Sequence, residues 1–128
     1  MQQLALITIV VRDYEEAIAF YTGPLGFQLV EDTVLSETKR WVRVAPPGSN
    51  GTAILLAKAA NAIQEAQVGN QTGGRVGFFL HTDNIAEDYQ RLQQNKVRIV
   101  REPVTESWGT VLVFADLYGN LWDLIQPA

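Results

Sequence analysis

The second half of the chain repeats the first. Asp13 and Asn84, both good helix N-caps, lie 71 residues apart, and the same shift sets Glu16 on Glu87, Tyr14 on Ile85, Ile18 on Tyr89 and Tyr21 on Leu92. Caps fall on caps and apolar positions on apolar positions, so each half carries a helix that starts with an acceptor side chain and buries one face. Beyond the helix a shift of 70 sets Phe27 on Val97 and Leu29 on Ile99, which makes the first helix-to-strand loop one residue longer. Agreement of caps, stripe and following strand together points to a tandem duplication and restricts the fold to two copies of one supersecondary unit.

Each copy reads βαβββ. Residues 4–11 are apolar and β-branched and run into Asp13-Tyr14-Glu15-Glu16, where Asp13 caps a helix and Glu16 can close a capping box. Tyr14, Ala17, Ile18 and Tyr21 recur at helical spacing, and Gly23-Pro24 with Gly26 ends the helix before residues 27–30 resume an extended pattern. Residues 40–45, stopped by Pro46-Pro47-Gly48, and 52–58 supply two more strands. In the second copy a strand at 74–82 precedes the helix capped by Asn84, whose stripe is Ile85, Tyr89 and Leu92. Strands at 97–101, 108–115 and 121–126 follow, the last two joined by Asp116-Leu117-Tyr118-Gly119-Asn120. Module one thus spans 1–58 and module two 74–128. The linker, 59–73, is polar and rich in small residues with a weak stripe in Ile63, Ala66 and Gln67, and is expected to be an ordered excursion or a flexible loop.

Composition narrows the function. A chain of 128 residues, 47% hydrophobic, buries roughly two thirds of its unfolded surface and needs no staples to fold as one domain. The absence of cysteine excludes disulfides, thiolate metal sites and cysteine nucleophiles. A net charge of -4 without a basic cluster cannot neutralise phosphates, which argues against nucleic acid as a partner. The first residues lack a basic segment before an apolar run, and no stretch approaches the roughly 20 apolar residues of a membrane helix, so a cytoplasmic location and no membrane partner are expected.

The segments VVRDYEEAIAFYTGPLGF and FADLYGNLWDLIQP resemble the opening strand, capped helix and turn, and the closing hairpin, of the vicinal oxygen chelate superfamily of glyoxalase, bleomycin-resistance and extradiol dioxygenase relatives. The likeness covers nearly the whole chain. It implies an α+β fold, a single glyoxalase-like domain over 1–128 in which two tandem βαβββ modules curl their mixed sheets into a cup, with helices outside, a ligand in the hollow and a homodimer as the assembly. Members include isomerases, dioxygenases, thiol transferases and metal-free drug-sequestering proteins, so the fold leaves the activity open.

In the metal-using relatives the ligands are histidine, glutamine or glutamate on the first and last strand of each module. The resemblance sets Leu6, Leu56, Gly77 and Asp123 at those places. Leucine and glycine side chains offer no donor atom, and one carboxylate cannot hold a zinc or nickel ion that needs about three or four protein ligands. Exchanging modules between identical chains brings together the same four positions. No metal or other cofactor is therefore expected, the minority alternative being a divalent metal relocated to His81, Asp83 and Asp123.

Strand parity counted from those positions turns Leu6, Thr8 and Val10, Ile54, Leu56 and Lys58, Gly77, Phe79 and His81, and Leu121, Asp123 and Ile125 into the cup, with Trp41 and Arg43 from the third strand. Arg43 could pair a ligand carboxylate or phosphate, or stand as an exposed arginine or an internal partner of Asp123. His81, the one histidine, is either a general acid or base with Asp83 beside it or a hydrogen-bonded strand-end residue. Trp41, Phe79 and Trp108 either stack on a planar ligand or serve as plain core. The expectation is a metal-independent small-molecule-binding protein of the bleomycin-resistance type. It would hold an amphipathic or aromatic ligand among Thr8, Trp41, Arg43, Leu56, Phe79, His81, Trp108 and Asp123. The alternatives are a glyoxalase-related lyase or isomerase or a dioxygenase-like enzyme using His81 and Asp123, and a dimeric interaction module whose hollow is filled by its own side chains. No nucleophile triad, P-loop or dinucleotide-binding glycine pattern occurs.

Overall fold

Asp13 ends the first strand and starts the first helix. Its backbone is extended (φ −150°) and its carboxylate accepts the Glu16 N–H at 3.0 Å, satisfying a donor that a helix N-terminus otherwise leaves open. In the computed structural model, which describes all residues from Met1 to Ala128, the first copy forms β1 (Leu6–Val11), α1 (Tyr14–Thr22), β2 (Gln28–Val34), β3 (Arg40–Ala45) and β4 (Ala53–Lys58). The Glu16 carboxylate takes the Arg12 guanidinium through two bonds of 2.9 and 3.0 Å. The Gly23 N–H closes the helix on the Ala19 carbonyl at 3.0 Å. Asp13→Ala is expected to lower stability by about 1 kcal/mol, read as a shift in a denaturant midpoint.

The four strands pair in the order β1-β4-β3-β2, with β1 parallel to β4 and the other pairs antiparallel. Register sets Ile9 beside Leu56 and Leu56 beside Val42. These three, with Val11 and Val44, are wholly buried, as are Ala17 and Tyr21 of α1, so this face of the sheet and the helix make the core of the first unit.

After α2 (Ala62–Glu65) the second copy forms β5 (Val76–His81), α3 (Ile85–Gln94), β6 (Ile99–Glu106), β7 (Gly109–Ala115) and β8 (Leu121–Pro127), paired β5-β8-β7-β6. Asn84 caps α3 by accepting the Glu87 N–H at 3.2 Å. The core of this unit is an aromatic stack, Phe78 on Trp122 at 4.7 Å and Phe114 on Trp122 at 5.9 Å, with Leu92, Leu112 and Leu124 around it. The buried Asp116 carboxylate ties the β7–β8 turn by accepting the Tyr118 and Asn120 backbone N–H groups and the Asn120 side-chain amide.

The chain thus forms two compact units, Met1–Val68 and Gly69–Ala128, with the same strand order, an α+β architecture of two four-stranded mixed sheets. Even the bulges repeat. The ladder slips between Leu29 and Glu31 in β2 and between Ile99 and Arg101 in β6, positions 70 residues apart.

The structure decides between the two expectations for the linker and departs from the expected elements at two further places. The segment 59–73 is an ordered excursion: α2 is capped by Asn61, which accepts the Gln64 N–H at 2.9 Å, and turns follow it. β2 and β6 run on to Val34 and Glu106, and β6 accommodates Pro103 because it is an edge strand whose ladder slips between Arg101 and Val104. Trp108 does not open a strand. It sits with Ser107 at the β6–β7 turn, half exposed, because the chain must reverse at Gly109, where φ is 152° and a Cβ would lie 2.5 Å from the Gln126 carbonyl oxygen. No helix is long and apolar enough to cross a membrane.

Candidate functional site

Cross-strand pairing defines the open face of each sheet, the one opposite the buried core. In the first unit it carries Leu6 beside Ala53, Thr8 beside Leu55, Val10 beside Ala57, Leu55 beside Arg43, Arg43 beside Glu31 and Trp41 beside Thr33. Leu56, expected in the cup, faces the core instead, and so does Ile54. The reason is that 53–57 is apolar on both faces, so alternation gives no parity and pairing with Ile9 and Val42 decides it. The repeat supports the corrected position: Leu55 lies opposite Thr8 as Asp123 lies opposite Phe79.

Next to this open face the first unit encloses a cavity of about 580 Å³. Trp41, Leu55, Ala57 and, from the buried side of β4, Leu56 form its apolar wall, the β2–β3 hairpin contributes Thr38, Lys39 and Arg40, and the end of β4 and the excursion after it contribute Lys58, Ala59, Ala60 and Gln64. Two local networks shape it. The Tyr14 hydroxyl donates to the Arg40 carbonyl at 3.2 Å and accepts the Arg40 N–H at 3.1 Å, while the guanidinium lies 5.2 Å from the Tyr14 ring centroid. Arg40 also donates to Asp32 and Glu15, which hold its pKa above the usual value and draw that of Asp32 down. Gln64 Oε1 accepts the Ala60 N–H at 2.8 Å and fixes the excursion as a wall.

Arg43 donates through Nε to Glu31 at 2.9 Å, and this bond is the main reason the Glu31 carboxyl is held below its ordinary pKa. Its partner is thus Glu31 of the neighbouring strand. Thr8 is exposed on the open face, and Trp41 is half-buried there.

On the open face of the second unit, Phe79 lies beside Asp123 and His81 beside Ile125, with Val113 and Val111 next in β7. Phe79 is 64% exposed, an unusual position for a phenylalanine in a strand. Burial raises the Asp123 carboxyl above its ordinary pKa, and the charge of Arg101 opposes this more weakly. The charged carboxylate is therefore disfavoured in the folded protein at neutral pH. Asp123→Asn is expected to raise the melting temperature near pH 7, and the gain should vanish as pH falls through the raised pKa towards the unfolded value of 3.8, a comparison of thermal melts across pH. His81 is exposed at the end of β5, and Asp83 lies beyond that strand, also exposed, so the two do not share a strand face.

The residues present do not fit a metal at the family positions. Leu6 and Leu55 (or Leu56) carry no donor, and position 77 lies in a slip of the β5 ladder where a Cβ would approach Thr72 Cγ2 to 2.6 Å, so a longer ligand side chain would meet Thr72. Nor do His81, Asp83 and Asp123 converge: no group of three or more such side chains is placed to hold an ion.

Sequence reasoning turned Trp41, Leu56 and Lys58 towards the hollow and missed Tyr14, Lys39, Arg40, Leu55, Ala57 and Gln64 as cavity residues. Only the polar run 36–40 before Trp41 hinted at a functional hairpin, and nothing showed that 59–64 folds back over the strand ends.

The sequence pattern of the Glyoxalase/Bleomycin resistance protein/Dioxygenase superfamily matches residues 3–124, and the chain belongs to that superfamily. It is 53% identical over 126 residues to an uncharacterised protein of Shewanella frigidimarina (strain NCIMB 400), covering 98% of this chain and 93% of the relative. Among solved structures it is similar to UcmS2, with a TM-score of 0.84, 32% identity and 98% of both chains covered. It is also similar to TnmS3, an antibiotic binding protein from Streptomyces sp. CB03234, with a TM-score of 0.79, 30% identity and 100% and 98% of the two chains covered.

Proposed function

We propose that this protein is a metal-independent binder of small molecules that holds an aromatic or amphipathic ligand against the open face of its first sheet. The cavity beside Trp41 carries the reading: about 580 Å³ falls within the size of small-molecule pockets, and an apolar wall with a few polar groups at its rim is their usual composition. The similar structure TnmS3 is an antibiotic binding protein, which supports a small molecule as the ligand. Donor-free residues at three of the four family metal positions support a site that works by shape and stacking.

The test is a fluorescence titration with N-phenyl-1-naphthylamine, an uncharged aromatic probe that brightens in apolar sites. Saturable binding is expected, and Trp41→Ala should weaken it about tenfold by removing the stacking surface. An unchanged affinity in that variant would place the ligand elsewhere.

A second reading rests on the raised pKa of Asp123, which suits a proton-transferring carboxyl on the sheet face that also carries His81, as in a lyase or isomerase. On that reading Asp123→Asn and His81→Ala abolish turnover. On the first reading both variants bind the probe as the parent protein does.

A further inference from the structure

We propose that the cavity selects organic anions: a planar aromatic body lies on Trp41 while its carboxylate, sulfonate or phosphate group is held by Lys39 and Lys58. The inference rests on the binding reading above and adds the charge of the ligand. The five Lys and Arg side chains of the first unit divide into two sets. Its three arginines are matched with carboxylates, Arg12 with Glu16, Arg40 with Asp32 and Glu15, and Arg43 with Glu31. Lys39 and Lys58 have no carboxylate within salt-bridge reach, and both line the cavity beside Trp41, whose walls carry no acidic residue, while Lys58 also borders a neighbouring pocket with Arg12 and Glu65.

In a protein of net charge -4, with seven acidic side chains in this unit, two ammonium groups without a carboxylate partner border one cavity and give it a local positive potential. They arrive from separate segments, Lys39 from the β2–β3 hairpin and Lys58 from the end of β4, so the cavity brings together what the sequence keeps apart. Both lysines are exposed, so their attraction for an anion is that of surface charges and is screened by salt. Ammonium groups on flexible stems bind as point charges, so the site distinguishes charge more than the geometry of the anionic group.

The test compares 8-anilinonaphthalene-1-sulfonate, an anion, with uncharged N-phenyl-1-naphthylamine, which shares its aromatic body. The parent protein should bind the sulfonate more tightly. Lys39→Gln and Lys58→Gln should each weaken sulfonate binding by about fivefold, and the double variant by more than about twentyfold, while the neutral probe changes by less than about twofold. Raising salt should weaken only the sulfonate. Equal binding of both probes, or sulfonate binding indifferent to both lysines, overturns the anion inference and leaves the binding reading intact. If neither probe binds the parent protein, the binding reading itself fails and takes this inference with it.

Discussion

Leu56→Ala is expected to cost about 2–5 kcal/mol of folding stability, whereas Leu55→Ala, its neighbour in β4, is expected to cost less than about half as much. The two leucines have the same side chain and opposite surroundings. Leu56 is wholly buried between Ile9 and Val42 in the ladder, so truncation leaves a cavity as well as losing transfer energy. Leu55 is half-buried beside Thr8 and Arg43, where neighbouring groups and solvent can close the gap. Urea denaturation of the two variants reads the difference directly. Equal costs, or a larger cost at Leu55, would mean that the open and buried faces of the first sheet have been exchanged.

Phe114→Ala should destabilise the protein by about 3–5 kcal/mol. Its ring is fully buried and lies nearly parallel to Trp122, at 11° between planes, and Trp122 stacks in turn on Phe78. Removing the outer ring takes away burial and one side of the stack together. Calorimetric melting should fall accordingly, and the near-ultraviolet circular dichroism from the stacked rings should weaken in the remaining folded fraction. A loss below about 1 kcal/mol would contradict a core organised around this stack.

The repeat carries most of what the sequence reveals about the fold. Asp13 and Asn84 were readable as caps because a short acceptor before an amphipathic stretch has a specific task at a helix start, and both perform it. The bulges at Val30 and Val100 obey the same 70-residue shift, yet nothing in their local sequence distinguishes a bulged valine from a paired one. β4 is where the reading of the candidate site failed. In alternating strands the polar residues reveal parity, and AILLA has none, so the face of Leu56 is a property of its partners. Trp108 was drawn into a strand by its propensity and excluded by the turn at Gly109.

Residues without donor atoms at three of the four family metal positions could be recognised from the motifs, and moving the fourth-strand position from Leu56 to Leu55 leaves that conclusion unchanged. The role of each cation was not legible. Arg43 looked available for a ligand and is paired with Glu31 across the bulged ladder, whereas Lys58 was expected in the hollow without a role and Lys39 carried no expectation, and the hairpin and the excursion bring both to one cavity.

The most direct test of the central claim is a titration of the protein with N-phenyl-1-naphthylamine before and after exhaustive chelation of divalent metal. Saturable binding at one site per chain, with the same affinity in both samples, is the predicted result. Binding that disappears on chelation and returns with zinc, nickel, manganese or iron would contradict it.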